Sequence, residues 1–324
     1  MRNKLNNNDK ALLHQIQQHR YLTTRQAIAL DHRNPGVVRR RLKQLVECGE
    51  LITSRRQQVG RPGQPEQVYQ IKATSEETIP GTKKSAAPLW PKHLEHEILL
   101  TWVCIQCGVI PDLLNEVSAQ CERYWTRQDR VPRTWSFTPC NMTHADHRRL
   151  GKRPPQEISL IPDASLTLST ESNSGLAHFF IEVDMGTETL VGRPSRRNDI
   201  TQKLLNYRGL FRHCKERSAG PAPDFASQHL EKGSPAARLD SIHERGFRVL
   251  FVASTPERAD ALAKWARNHT PSAFIWITDA SKLHLRGIWS PIWRSGGKGT
   301  LSSILGSYAK PFMKSPAQVL DATE

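Results

Sequence analysis

Apolar residues recur at helical spacing in three successive stretches near the start of the chain. Residues 9–19 carry the first period; Leu22, Thr23 and Thr24 open a second that runs to Leu30. The third, 35–48, has Pro35 at an early helical position and Gly49 just past its end. It places Val38, Leu42 and Leu45 on one stripe and leaves Arg39, Arg40 and Lys43 largely off it. The period then shortens. Residues 51–53 and 68–71 read as short strands on either side of the Gly- and Pro-rich basic loop RRQQVGRPGQPEQ. Residues 74–89 are polar and without period, as expected of a linker.

Beyond that linker the pattern predicts a second, larger domain. Residues 93–107 are apolar nearly all round (Leu94, Ile98, Leu99, Trp102, Val103 and Ile105), which predicts a helix buried between layers. Residues 121–155 are polar, basic and rich in Trp. They read either as an insertion whose Trp125, Trp135 and arginines stack on bases, or as a surface excursion with tryptophan packed on the domain. The stretch EISLIPDASLTLSTESNSGLAHFFIEVDMGTE, 157–188, holds two β-like runs joined by the turn-forming SNSG segment. A helix is expected over 200–212 and a flexible loop over 218–241. Strands at 247–253 and 273–278 then flank a helix at 256–268, a β-α-β unit that completes a mixed sheet. Residues 283–292 suggest further strands, and the Gly/Ser/Lys-rich segment after Arg294 reads as loose. The expected organisation is a DNA-binding domain over 1–73, a linker over 74–89, an α/β (α+β) domain over 90–293 and a flexible tail over 294–324.

Charge sharpens this picture. The chain has 324 residues and a net charge of +15, a balance that favours a polyanionic partner. Residues 1–84 hold 16 Lys and Arg against 7 Asp and Glu, so much of the excess lies on the three-helix module. Three helices followed by a basic hairpin resemble a winged helix-turn-helix, in which the third helix enters the major groove and the wing touches phosphate or minor groove. On that resemblance Arg39, Arg40, Arg41 and Lys43 of the third helix, with Arg55, Arg56 and Arg61 of the hairpin, are the candidate contacts to double-stranded DNA. No run approaches the ~18 apolar residues of a membrane span, and the N-terminus lacks a signal-peptide core, so a cytoplasmic location is expected. The six cysteines (48, 104, 107, 121, 140 and 214) are dispersed and read as reduced thiols.

The candidate chemistry lies in the paired strands. Pairing through the SNSG turn would bring Asp163 close to Glu182, and close carboxylates repel unless a cation or proton intervenes. Carboxylates suit Mg²⁺ or Mn²⁺, and a hard divalent ion on a very basic protein points to phosphodiester chemistry. The ordered set resembles the PD-(D/E)XK nuclease superfamily, in which an Asp after Pro and a Glu on the next strand bind the metal. A Lys two residues later completes that site; here the position holds Asp184. The text IPDASLTL, HFFIEVDMGTET and KLLNY is more specifically similar to the replication-relaxation family, which includes MobC-type relaxases of mobilizable plasmids.

That resemblance implies a metal site of Asp163, Glu182 and Asp184. It implies a further metal-side Glu from the preceding helix, for which Glu97 is the first choice and Glu95 the second. The helix at 200–212 resembles the QxxxY helix of RecB-like nucleases, with Lys203 in the Gln position and Tyr207 four residues on, on the same face. Lys203 would then replace the missing strand lysine by neutralising the attacked phosphate or assisting the nucleophile. Tyr207 would bind phosphate or attack it, an orienting role being preferred. Glu188, in the GTE element, lies near Asp184 in sequence.

Zinc is the competing use of the helix at 93–107. His93, His96, Cys104 and Cys107 share a broad face, but they span ~21 Å along the axis, too far for one ion. They read as core or interface residues. The expected activity is therefore a Mg²⁺- or Mn²⁺-dependent relaxase that nicks one strand of double-stranded DNA at a plasmid transfer origin, with accessory mobilization and coupling proteins as partners. A non-catalytic replication or mobilization factor and a winged-helix transcription regulator are the alternatives. Asp184 in the lysine position favours the former.

Overall fold

The computed structural model describes residues 5–31, 33–56, 66–72, 91–109, 117–123, 135–137, 141–149, 151, 153, 155–170, 173–190, 199–218, 246–269 and 272–305. The expected linker at 74–89 and loop at 218–241 lie outside these residues, except for the helical Ser218. The protein is mixed α/β, and the chain divides into two compact units, Met1–Ile105 and Gln106–Glu324.

In the first unit, α1 (Asn7–His19), α2 (Thr24–Leu30) and α3 (Pro35–Glu47) each begin where a side chain satisfies a free backbone N–H. Asn6 and Asp9 form a reciprocal capping box on α1, and Thr23 with Gln26 does the same on α2. Asn34 accepts from Gly36 N ahead of Pro35, whose fixed φ suits a first helical position. Strands β1 (Leu22–Thr23), β2 (Leu51–Arg56) and β3 (Glu66–Ile71) form an antiparallel sheet in the order β1-β3-β2, with Leu22 opposite Tyr69 and Leu51 opposite Ile71. The helical stripes meet over this sheet: Leu12, Ile16, Ala27, Val38, Leu42 and Leu45 bury against Leu22, Leu51, Tyr69 and Ile71. Helix α4 (Pro91–Gly108) joins this unit through Ile105. Its Ile98, with Leu94 and Trp102, packs on Tyr21 and Val68, and the Gln26 amide donates to the Ile98 carbonyl at 2.7 Å.

The second unit is built on a seven-stranded mixed sheet. It contains β4 (Val117–Arg123), β7 (Ala164–Thr170), β8 (Asn173–Asp184), β9 (Arg248–Ala253), β10 (Ile275–Asp279), β11 (Trp293–Ser295) and β12 (Leu301–Ser302). The strand order is β12-β11-β10-β9-β8-β7-β4. Strands β8, β9 and β10 are parallel; β7 is antiparallel to both β8 and β4, and β11 to both β10 and β12. A separate ribbon pairs β5 (Trp135–Phe137) with β6 (Ile158–Leu160). The helices are α5 (Asn141–Arg149), α6 (Ile200–Ser218), α7 (Pro256–Asn268) and α8 (Ala280–Arg286). The core joins α6 residues Leu204, Tyr207 and Leu210 and α7 residues Leu262, Ala263 and Ala266 to Phe180, Val249, Phe251 and Ile275 of the sheet.

Three expectations change. Residues 283–292 do not add strands to the sheet among the described residues. Leu283 and Leu285 look like strand alternation, but Asp279 caps α8 by accepting from Lys282 N at 2.9 Å, and Gly287 closes it at φ +79°. Only Leu283 of that pair is buried, while Leu285 is 78% exposed. Residues 295–305 of the expected loose segment are built into the sheet edge through β11 and β12, and 306–324 lie outside the described residues. Gly297 makes this possible: a Cβ there would sit 2.1 Å from the Ala263 carbonyl oxygen on α7, and Arg267 donates to the Gly297 carbonyl at 2.6 Å. Strand β8 also begins earlier than the SNSG turn predicts, with Thr170 opposite Asn173.

One buried ion pair ties the first unit together. The Arg41 guanidinium forks onto both oxygens of Asp9, whose side chain is fully buried. Arg41 therefore serves the core and is withdrawn from the expected set of DNA contacts. Asp9→Ala should destabilise the protein by roughly 3 kcal/mol, since it leaves a guanidinium uncompensated and removes half a capping box. Asn6→Ala, which removes a cap alone, should cost about 1 kcal/mol. Urea melts of both variants check the order; equal losses would mean that the ion pair contributes nothing.

Candidate functional site

The hairpin of β7 and β8 creates the site. Ala164, the first residue of β7, lies opposite Ile181, and Asp163 stands one residue before it, near enough for its charge to act on Glu182. Asp163 N donates to the Ile181 carbonyl at 3.1 Å, and the Asp163 carboxylate accepts from Val183 N at 2.8 Å. β8 lies inside the sheet, between β7 and β9, so Glu182 is only 1% exposed.

Helix α6 supplies the partners. Asp199 opens it by accepting from Gln202 N at 2.7 Å, and Thr201 N donates to the Leu190 carbonyl at 3.1 Å. These bonds set the rotation of the first turn, and residues four apart then face the sheet together. The Lys203 ammonium pairs with Oε2 of Glu182, and the Tyr207 hydroxyl donates to Oε1 at 2.5 Å. Tyr207 is fully buried, its ring 5.7 Å from Phe180 and 6.5 Å from Phe251. Its position makes it a holder of Glu182.

Burial pushes the Glu182 carboxyl up to about 8; the Lys203 charge opposes that rise and the Asp163 charge adds to it. For Lys203 burial acts downward, but the charges of Glu182, Asp163 and Glu188 outweigh it and hold the ammonium above its ordinary range.

Asp184 does not join this pair. Arg258, at the start of α7, donates through Nε to Asp184 Oδ2 at 2.6 Å and through a terminal nitrogen to Oδ1 at 3.3 Å. Gly186 N, at φ +72°, donates to the same Oδ1 at 2.9 Å. Arg258 also donates to the Glu188 carbonyl at 2.6 Å, which ties the GTE element to α7. Arg258 gives no sequence signal, since it sits on the polar face of an amphipathic helix. The available hint was an acid at the end of a buried strand, a position that requires a cation. A second unforeseen anchor holds α5 to α6: Arg208 and Arg212 both reach Asp146, at 3.5 Å for Arg208, and the Gln202 amide lies 3.3 Å from His147 Nδ1.

Glu97 belongs to the first unit, where it is buried and 3.9 Å from Arg20. Among the described residues no group of three or more His, Cys, Asp and Glu lies close enough to hold a metal ion. Two carboxylates, Asp163 and Glu182, remain together. They fit Mg²⁺ or Mn²⁺, because such ions are often bound through one or two carboxylates plus water and substrate phosphate. On the first unit Arg39, Arg40, Lys43 and Arg55 are exposed, with Lys43 3.8 Å from Glu47. Arg61, Trp125 and the side chains of Arg56 and Trp135 lie outside the described residues.

The geometry defines a two-unit α/β protein with a buried carboxylate–ammonium site on a mixed sheet. The family model described as Replication-relaxation matches residues 13–224, about two thirds of the chain, and the protein belongs to the replication-relaxation family. That membership points to plasmid replication or mobilization. The matched span includes Asp163, Glu182, Lys203 and Tyr207; Arg258 lies beyond it. No curated protein and no solved structure matches the chain. Among the described residues, no helix is long and apolar enough to cross a membrane.

The raised Glu182 value makes metal-free stability depend on pH. A folded value above the unfolded one means the contribution is full below about 4.5 and is lost as pH rises through about 8. Glu182→Gln lacks this titration. In the wild type the Lys203 ammonium is held above its ordinary range, so the titration in this window belongs to Glu182. The Tm of Glu182→Gln minus that of the wild type should therefore rise between about pH 5 and pH 8.5, by the equivalent of a few kcal/mol at most. A flat difference would place Glu182 in the ordinary carboxylate range.

Proposed function

We propose that this protein is a plasmid mobilization relaxase that nicks one strand of double-stranded DNA at a transfer origin. The observation that carries the reading is the convergence on Glu182. The charge of Asp163, a lysine and a tyrosine converge on one carboxylate, within a family tied to replication and relaxation. Asp163 and Glu182 would hold Mg²⁺ or Mn²⁺, which supplies Lewis-acid stabilisation of charge on the attacked phosphate. The residues of the chain do the rest. Tyr207 fixes the rotamer of Glu182 from the core. Lys203, from the helix, brings the positive charge that the strand position, occupied by Asp184, lacks. Charge grows on the phosphate oxygens in the transition state, and a fixed ammonium there lowers the barrier. Arg258 neutralises Asp184, so the third acid does not repel the substrate.

In this reading the first unit is a winged helix-turn-helix that holds the duplex. Its support is the order α1-β1-α2-α3-β2-β3 and the exposure of Arg39, Arg40 and Lys43 on α3. Accessory mobilization and coupling proteins would complete the assembly. One observation favours a non-catalytic DNA-binding factor instead: both oxygens of Glu182 are engaged within the protein.

Supercoiled plasmid carrying the origin, incubated with and without Mn²⁺ and then treated with protease, separates the two. Relaxase action predicts metal-dependent open circles. Asp163→Ala and Glu182→Ala should each abolish them while leaving DNA binding nearly intact; wild-type nicking by either variant would sink the metal site. A protein-bound 5′ or 3′ end that disappears in Tyr207→Phe would make the tyrosine a nucleophile.

The duplex-binding face has its own check. If Arg39 and Arg40 both meet phosphates, Arg39→Ala/Arg40→Ala should flatten the slope of log affinity against log salt by about 0.9 for each lost contact. An unchanged slope and affinity would assign that face to solvent.

A further inference from the structure

The two groups that hold Glu182 differ in one respect that matters for any cation. Tyr207 is fully buried, and its ring is packed between Phe180 and Phe251, so its hydroxyl has nowhere to withdraw. Lys203 has a side chain 30% exposed and reaches Glu182 through a flexible four-carbon stem. Of the two contacts, the lysine's is the one that can open. Its ammonium sits against Oε2 of a carboxylate that is itself 1% exposed, within the field of Asp163. A divalent ion bound by Glu182 and Asp163 would take the same position, and two cations cannot share it.

We infer that the Lys203 ammonium is an internal stand-in for the metal: it closes Glu182 in the resting protein and is displaced when a divalent ion binds. This rests on the proposed metal-dependent site and adds a gate to it. Displacement frees a charge that stays tethered to α6 beside the carboxylates, where an incoming phosphate would meet it. Metal loading and delivery of the lysine to the substrate thus become one event. Without metal, the pair keeps a buried carboxylate and its neighbour compensated, which would otherwise repel each other. The Arg258–Asp184 pair gives no such gate, because Gly186 N also holds Asp184 and the arginine is anchored to the Glu188 carbonyl.

Lysine acylation read by mass spectrometry tests this on the full-length wild-type protein, so no variant need fold. Lys282, ion-paired to Asp279 at 2.6 Å, serves as the internal reference. Saturating Mg²⁺ should raise the labelling rate of Lys203 by about tenfold or more, as a charge held at contact distance is released, and leave Lys282 unchanged. Calorimetry with Mg²⁺ and Mn²⁺ runs in parallel. If metal binds and Lys203 labelling stays the same or falls, the gate is wrong and the metal site stands. If neither ion binds, the metal-dependent reading fails and the gate falls with it. Lys203→Gln, shown folded by its melt, keeps both carboxylates and should bind Mn²⁺ about tenfold more tightly at about pH 8.5. Weaker binding by that variant would overturn displacement.

Discussion

A carboxylate buried inside a seven-stranded sheet organises the second unit. Glu182 has almost no access to water, so its charge must be met by the protein or be lost to a proton. Helix α6 meets it twice, with Lys203 on one oxygen and Tyr207 on the other. That requirement fixes the rotation of α6 about its axis and brings Leu204 and Leu210 of the same helix into the core with Phe180 and Phe251. The chemistry of the site and the packing of the helix are therefore one constraint. The elevated Glu182 value follows from the same burial, which leaves the carboxyl poised between proton, ammonium and any other cation.

Both units divide their cations between structure and surface. On α3, Arg41 turns inward to Asp9 while Arg39, Arg40 and Lys43 stay exposed. In the second unit Arg258 is committed to Asp184, Arg208 and Arg212 to Asp146, and Lys203 is left at the one carboxylate with a second acid beside it. A lysine at the usual strand position would have extended from β8 itself. Here the acid at that position is neutralised from α7, and the site's positive charge comes from α6.

Local pattern carried much of the fold. The caps at Asn6, Thr23, Asn34 and Thr255 stand at the starts of helices whose apolar periods are unbroken, and α7 begins and ends where its pattern predicts. The β7–β8 hairpin and the parallel β9-α7-β10 unit follow from alternation and from runs of buried residues. Patterns failed where they were short. Two leucines over 283–292 fit strand and helix alike until a cap at Asp279 decides between them. Glycines after Arg294 look loose until one of them proves to be a point of contact with a helix.

The sequence by itself determined which residues could act: an acid after proline, an acid in an apolar strand, and a lysine and tyrosine four apart on the next helix. Those are properties of spacing, and spacing survives any packing that keeps the elements. Only the tertiary structure decided which of them meet. Asp163 and Glu182 come together because β7 pairs with β8 and Asp163, just before β7, is held by the backbone of Ile181 and Val183, and Lys203 and Tyr207 join because α6 lies across β8. Asp184, two residues along the same strand, and Arg41, two residues along the basic helix, were taken by partners 74 and 32 residues away. Charge neutralisation inside a core depends on what lies nearest in space. That distance is set by how the elements pack, and it is not written in the order of the chain.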